Sequence, residues 1–307
     1  MPKYKVILNP ISGRGMGRKS IERIKELLSR YNLDFDLVLS DYAGHAIELA
    51  RQAVRDGYNV VVAAGGDGTA NEVVNGLMQA KKAGLGEATF AMLGVGRGYD
   101  FAFGAGIPMK LEGACQVLTD GQHKRIDLGW FTGGFYPQGR YFVNGIGIGF
   151  DAIVNREASK LKNVSGMLSY LMAALKTIFL YFHAPKVRIE LDDKVFEQPA
   201  LIISAMNGRR LGGVFMIAPN AVPVDGLFDT AIAGQVSRLR IFTLLMHAIR
   251  GTHITQPDFK CGRVKKLSVT VLDGGVLPAQ ADGEMYSLDG KQLTIEVVPQ
   301  AIEIVCR

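Results

Sequence analysis

The sequence predicts an α/β protein: an N-terminal doubly wound parallel sheet followed by a mostly antiparallel β-sandwich domain. Three observations lead there. Strand and helix patterns alternate through about the first 120 residues. After Asp127, short strands separated by turns take over. In the first part, glycine-rich turns follow directly on apolar runs, where a sheet of this class keeps its ligand-binding edge.

Taken in order, Tyr4–Leu8 is a short apolar strand. Met16–Arg30 has helical spacing, with Ile21, Ile24, Leu27 and Leu28 on one face. Phe35–Leu39 reads as a strand and Ala46–Arg55 as a helix. Val60–Ala64 is a continuous apolar run, the pattern of a strand buried on both faces. Thr69–Ala80 is the next helix and Thr89–Leu93 the next strand. This β-α-β-α order requires parallel strands wrapped by helices. Beyond it, Tyr141–Asn144, Lys186–Leu191, Leu201–Met206, Asp229–Ala233, Leu267–Leu272 and Leu293–Val298 read as strands, interrupted by helices near 165–182 and 237–250. The expected domains are 1–126 and 127–295, with a tail, 296–307, packed back on the first.

The 307 residues are 48% hydrophobic and 21% charged, enough for a packed core and too apolar for disorder. The net charge of +6 and pI of about 9.1 suit an anionic lipid headgroup, a nucleotide or a nucleic acid, or serve solubility alone. The basic residues form no long run and no recognition module, which argues against nucleic acid. Three well-separated cysteines, Cys115, Cys261 and Cys306, show no metal-type spacing and point to a reducing cytoplasm. The N-terminus is too quickly polar for a signal peptide. Met167–Phe182 carries Lys176 and falls short of the ~20 residues that span a bilayer, so it reads as a partly buried or interfacial helix.

Gly65-Gly66-Asp67-Gly68-Thr69 follows the buried strand and opens a helix. Its glycines let backbone approach a phosphate chain, and the helix start offers free N–H groups. Asp67 and phosphate are both anionic, so Asp67 fits there if Mg²⁺ stands between them. A plain glycine turn with Asp67 as a helix cap fits the same five residues. Asn9-Pro10-Ile11-Ser12-Gly13 and Gly94-Val95-Gly96-Arg97-Gly98-Tyr99-Asp100-Phe101 end two further strands, so three turns are expected at one edge. Asp282-Gly283-Glu284 sets two carboxylates around a glycine, which is either a base for a hydroxyl acceptor or an ordinary exposed turn.

Together these residues resemble the diacylglycerol kinase catalytic family, which includes bacterial lipid kinases and sphingosine kinases. The likeness rests on NPISG at 9–13, GGDGTANEV at 65–73, YDFAFGAGIP at 99–108, the Asp127 strand and Asn144 with its following glycines. It continues through NGRRLGG at 207–213, APNAVPVDGLFD at 218–229 and ADGE at 281–284, nearly the whole chain in order. The resemblance implies a nucleotide-binding first domain like that of NAD kinase and phosphofructokinase. It implies ATP contacts from Asn9, Pro10, Ser12 and Gly13, from Ser40 ahead of Gly44, from Gly65, Gly66, Asp67, Gly68, Thr69 and Asn71, and from Gly96, Arg97 and Asp100. It implies that Asp67, Asp100 and Asp127 organise Mg²⁺, and that Asp225 with the carbonyls of Val222 and Leu227 holds a second, structural metal. Glu284 matches the proton acceptor, with Asp282 beside it.

The expected activity is therefore ATP- and Mg²⁺-dependent phosphorylation of a lipid hydroxyl by a cytoplasmic protein at the membrane surface. Edge strands of the second domain would allow a homodimer. NAD kinase shares GGDGT, but the Thr69-Ala70-Asn71-Glu72 continuation and the YDFA turn favour the lipid branch. The third turn departs from the family's Gly-Thr-Gly-Asn-Asp-Phe: Arg97 replaces threonine and Tyr99 replaces asparagine. Arg97 would either clamp phosphate or block the nucleotide, the latter giving a binding protein without turnover. The apolar stripe of Leu239–Ile249, flanked by Arg238, Arg240 and Arg250, fits core packing or an anionic membrane.

Overall fold

Parallel strands order the first of two compact units. The computed structural model describes residues 2–96, 99–161, 167–180 and 183–307. One unit takes 1–126 with 300–307, the other 127–299. The first contains β1 (Lys3–Leu8), α1 (Ser12–Lys19), α2 (Ile21–Arg30), β2 (Asp34–Leu39), α3 (His45–Arg55), β3 (Val60–Gly65), α4 (Asp67–Lys82), β4 (Thr89–Gly94), α5 (Asp100–Ala105) and α6 (Leu111–Asp120). Its strands run β2-β1-β3-β4, all parallel. Every residue of β3 is buried, as its unbroken apolar run requires of a strand covered on both faces. The order turns outward from β1 in one direction and from β3 in the other, which makes the sheet doubly wound and puts the switch between β1 and β3.

The helix expected over 16–30 is two helices. Ser20 separates them, and its hydroxyl donates to the Met16 carbonyl at 2.9 Å. Gly13, Arg14 and Gly15 at the start of α1 all have left-handed φ. Gly17 faces the Asn9 carbonyl, where a Cβ would stand only 2.0 Å away. The segment is thus shaped by its approach to β1 rather than by helical period. The short α5 and α6 were not anticipated from the sequence, although Ala114, Cys115, Val117 and Leu118 form a helical face in α6.

The second unit is a β-sandwich. The chain enters it within β5 (Gln122–Gly133) and continues through β6 (Tyr136–Phe142), β7 (Gly145–Gly149), α7 (Phe150–Lys160), α8 (Met167–Leu180), β8 (Lys186–Leu191), β9 (Lys194–Pro199), β10 (Ile202–Met206), β11 (Phe228–Ala233) and α9 (Arg238–Arg250). It then forms β12 (Phe259–Val264), β13 (Lys266–Val271), β14 (Leu277–Ala281), β15 (Glu284–Gly290) and the long β16 (Gln292–Cys306), which returns the chain to the first unit. One sheet runs β12-β11-β10-β7-β14-β15. The other pairs β16 with β13, β13 with β8 and β8 with β9, all antiparallel. Phe131, Phe142, Ile148, Ile189, Phe228, Val269, Tyr286 and Ile295 fill the core between them. The helix expected near 165–182 is described only as α8; residues 165, 166, 181 and 182 lie outside the described residues. No described helix is long and apolar enough to cross a membrane.

Helix α7 has no counterpart in the sequence reading. It begins directly after β7, whose Ile146 and Ile148 enter the sandwich core while glycines occupy the alternate positions. A Cβ on Gly147 would stand 1.4 Å from the Asp151 carboxylate, so the glycine face of β7 is the space that the first turn of α7 uses.

Gly76 in α4 decides how closely α3 can approach, since a Cβ there would lie 2.3 Å from the Ile47 carbonyl and 2.8 Å from the Ala50 Cβ. Gly76→Ala gains about 1 kcal/mol of helix propensity. It loses roughly 1–3 kcal/mol to overpacking against backbone that cannot rotate away. The variant is expected to unfold at lower denaturant concentration than the parent. A midpoint equal to or above the parent's would show that α3 and α4 separate freely.

Candidate active site

All four strands of the first unit end at the same edge, and the backbone draws their turns together. Ser40 N–H donates to Leu8 at 2.9 Å, Asn9 N–H to Ala64 at 3.0 Å and Val95 N–H to Gly65 at 3.0 Å. Side chains extend the ties. Asn9 Nδ2 donates to Thr69 Oγ1 at 3.3 Å, and Ser12 Oγ donates to the Val95 carbonyl at 2.7 Å. Gly13 and Gly96 meet backbone to backbone: a Cβ on Gly13, whose φ is +58°, would lie 2.6 Å from the Gly96 Cα. The three turns expected at one edge are therefore joined there directly.

Asp67, in the first turn of α4, closes the arrangement. Its Oδ2 accepts the Asp100 N–H at 3.1 Å and its Oδ1 the Phe101 N–H at 3.0 Å. The carboxylate thus caps the start of α5 rather than its own helix. Asp100 is buried beside it, and Asn71 is fully buried, accepting from Asn75 Nδ2 at its carbonyl (2.8 Å) and Oδ1 (3.2 Å). Tyr99 packs its ring against Gly94, where a Cβ would come within 3.1 Å of it. Burial pushes the Tyr99 phenol above its usual value, and a hydrogen bond with the Gly96 backbone works the other way. Arg97 lies outside the described residues. Ser40 is buried, and Gly44 N–H and Ala46 N–H donate to the two oxygens of Glu72 at 2.9 and 3.2 Å. The role of Glu72 was not foreseen, although it sits inside the GGDGTANEV motif.

The remaining site residues lie in the second unit. Asp282 is buried with φ +50°. Its Oδ2 accepts from Val143 N–H at 2.8 Å, and its Oδ1 from Asn144 and Gly145 N–H at 2.9 and 3.2 Å. It therefore anchors the turn, while Glu284 at the start of β15 is exposed. Asp127 is fully buried, with its Oδ2 accepting the Gly226 N–H at 2.7 Å, its N–H donating to Pro223 at 2.8 Å and its carbonyl accepting from Asn207 at 2.8 Å. The structure brings Asp67 and Asp100 together, and holds Asp127 in the 223–226 turn of its own unit.

Two of the three groups expected to hold a second metal, Asp225 and the Val222 carbonyl, have other partners. Asp225 Oδ1 accepts the Leu227 N–H at 3.0 Å, its Oδ2 pairs with the Arg263 guanidinium, and the Val222 carbonyl accepts the Val224 N–H at 2.8 Å. Arg263 already supplies beside Asp225 the positive charge that a cation would bring. Among the described residues, no cluster of three or more His, Cys, Asp or Glu could hold a metal ion. Each Asp67 oxygen accepts one N–H bond, and since a carboxylate oxygen can accept more than one bond it stays compatible with Mg²⁺ chemistry in which one or two carboxylates share the ion with substrate phosphates and water.

A buried carboxylate that sequence reasoning missed stands behind the turn at Asp282. Asp151 Oδ2 accepts from Gln280 at 3.3 Å, its Oδ1 has no hydrogen-bond partner, and burial pushes its carboxyl up to about 6. The folded chain thus binds this proton more tightly than the unfolded chain, whose carboxyl keeps the ordinary 3.8. The stability this proton gives is complete below about pH 4 and lost as pH rises through about 6, a cost of ~3 kcal/mol. Asp151→Asn removes the charge. It is expected to be more stable than the parent near neutrality, with the advantage shrinking as pH falls from about 6 to about 4. A pH-independent difference in unfolding free energy would show that the charge is not the cause.

Comparison with known proteins fits this geometry. Residues 3–131 match the diacylglycerol kinase catalytic domain, and residues 144–306 match the YegS C-terminal NAD kinase beta sandwich-like domain. A YegS-like lipid kinase of Pseudomonas aeruginosa is 32% identical over 307 residues, covering 99% of this chain and 95% of its own. A diacylglycerol kinase of Bacillus subtilis is 27% identical over 292 residues, covering 91% and 93%. A crystal structure from Bacillus anthracis str. Sterne superposes with a TM-score of 0.79 at 21% identity, covering 99% of this chain and 95% of that one, a likeness of fold. The doubly wound sheet, the sandwich and the ordered set of turns are those of one group of enzymes, and this chain belongs to the diacylglycerol kinase family of lipid kinases.

Proposed function

We propose that this protein transfers the γ-phosphoryl group of ATP to the hydroxyl of diacylglycerol or a related lipid, with Mg²⁺, and that Glu284 is the general base. The observation that carries the reading is the joining of the Asn9–Gly13, Gly65–Thr69 and Gly96–Phe101 turns at one strand edge of the first unit. Close backbone approach at Gly13 and Gly96 and the N-terminus of α4 suit a chain of phosphates. Mg²⁺ bound there would neutralise phosphate charge, with Asp67 the carboxylate placed to hold it. In the second unit, Asp282 is tied down by three backbone N–H groups and serves as anchor. Glu284 is exposed and therefore the carboxylate of the pair able to take a proton from an incoming hydroxyl.

A lipid acceptor is supported by the outer faces of α8 and α9. Phe179 is 71% exposed and Leu239 84% exposed, with Phe242, Met246 and Met172 also open to solvent. Arg238 lies over the Phe179 ring at 5.8 Å. Apolar groups beside cations on one surface suit association with an anionic membrane. Incubation with γ-labelled ATP and total lipid extract, with NAD in a parallel reaction, tests the reading. A labelled lipid supports it; a labelled dinucleotide, or no labelled product, overturns it.

Asp67→Asn keeps an oxygen for one of the two N–H groups at the start of α5 and removes the charge. Turnover is expected to fall on the order of a hundredfold or more, as when one strong electrostatic stabiliser is lost. Near-parental turnover in the folded variant would remove Asp67 from the metal site. Glu284→Gln is expected to retain ATP affinity while phosphoryl transfer drops roughly 10²–10⁴-fold. Loss of ATP binding in this variant would instead make Glu284 a ligand of the nucleotide or its ion.

A further inference from the structure

Glu284 follows a residue whose peptide groups are gripped from both directions. The Gly283 N–H donates to Gln280 Oε1 at 3.1 Å, and the Gly283 carbonyl accepts from Asn155 Nδ2 at 2.8 Å. The N–H belongs to the peptide joining 282 to 283, and the carbonyl to the peptide joining 283 to 284. Each peptide is planar, so the two bonds fix the planes on either side of Gly283 and the direction in which Glu284 departs. Crowding contributes nothing to this. A Cβ on Gly283 would meet no atom within 4 Å, and its φ of +84° is what calls for glycine.

Each gripping amide has a second partner of its own. An ionised carboxylate only accepts, so Asp151 Oδ2 draws the Gln280 NH₂ toward it at 3.3 Å and leaves Oε1 for Gly283. The Tyr170 hydroxyl, on α8, donates to Asn155 Oδ1 at 3.2 Å and leaves Nδ2 for the Gly283 carbonyl. Flipping the Gln280 amide would set acceptor against acceptor at Asp151 and donor against donor at Gly283, and flipping the Asn155 amide would set its oxygen against the Gly283 carbonyl. Asp151 and Asn155 stand four residues apart on α7 and share one face. The missing side chain of Gly147 is what lets the Asp151 carboxylate reach its place.

We propose that Asn155 and Gln280 are positioning residues that set the direction in which the Asp282-Gly283-Glu284 turn presents its carboxylate to the acceptor hydroxyl, with Asp151 fixing the orientation of the Gln280 amide and the Tyr170 hydroxyl holding the Asn155 side chain in place. The proposal rests on Glu284 being the base. It predicts losses in the rate of the chemical step, because a base displaced by about an ångström loses much of its effect while ground-state binding elsewhere is untouched.

Two conservative variants test it. Asn155→Asp keeps the oxygen that accepts from Tyr170 and removes the N–H given to Gly283. Tyr170→Phe keeps the ring that packs beside Gly212 and removes only the hydroxyl. Phosphoryl transfer from γ-labelled ATP is measured on vesicles of total bacterial lipid extract doped with dioleoylglycerol, on protein shown to be folded by circular dichroism. Asn155→Asp is expected to lower kcat about 10- to 100-fold, and Tyr170→Phe a few-fold, with KM for ATP unchanged. In both variants the loss should stay in kcat, with KM for ATP and for the lipid unchanged, a split that general loss of structure would not produce. Should Asn155→Asp not fold, Tyr170→Phe decides alone. Parental kcat in the folded variants, or an effect confined to the lipid KM, overturns the clamp. Glu284→Gln assayed alongside separates the two ideas. An inactive Glu284→Gln beside parental Asn155→Asp and Tyr170→Phe refutes the clamp alone, and a fully active Glu284→Gln removes the base and the clamp together.

Discussion

Two backbone N–H groups, those of Asp100 and Phe101, end on the single carboxylate of Asp67, and the strand edge of the first unit is organised around that pair of bonds. The start of a helix leaves N–H groups without partners inside the helix, and both residues here are buried. A charged acceptor makes stronger bonds to them than a neutral one could. Because Asp67 begins α4 directly after β3, the bonds register the turn after β4 against the turn after β3. Ser12 bonding to Val95, and Gly13 lying on Gly96, then bring the turn after β1 into the same register. The described parts of the three turns are thereby tied to one another.

How much of this could be read in advance follows from how local each cause is. The parallel strands were legible because Val60–Gly65 must be apolar at every position when helices cover both faces. The glycine turns were legible as a set because each follows a strand immediately. The break at Ser20 was not, because Ile21, Ile24, Leu27 and Leu28 keep helical spacing, while the close approach of Gly17 to the Asn9 carbonyl appears only in the fold. Helix α7 was hidden for a related reason. The glycines of β7 look like a turn, and only the neighbouring Asp151 explains why that face of a strand is bare.

In the second unit the motif residues divide into anchors and presenters, which spacing alone does not reveal. Asp282 and Glu284 flank one glycine, yet the first is buried under three N–H groups and the second is exposed. Asp127 and Asp225 similarly spend their oxygens on backbone and on Arg263. Arg263 is far from Asp225 in sequence, and only the pairing of β11 with β12 brings their neighbourhoods together. A carboxylate in a motif thus gives the chemistry available, and the groups that fold around it decide whether the charge is left for a ligand or used to hold the chain.

The apolar stripe of α9 combines both readings that its sequence allowed. Ile241, Leu244 and Ala248 are buried and spaced as one face of a helix, and Ile241 and Ala248 join the two core clusters beneath α9. Leu239, Phe242 and Met246 have nearly the same spacing but start two residues earlier, which turns them about 200° round the axis, and they are exposed. The helix therefore has two apolar faces, and core packing accounts for only one of them. A surface helix normally needs just one such face, since the far side gains nothing from apolar groups in water. The second face, with Phe179 and Arg238 beside it, is the part of this unit whose composition a water-facing role does not explain. The acceptor proposed for the enzyme, a lipid presented at a bilayer, gives those side chains a solvent in which they are favourable.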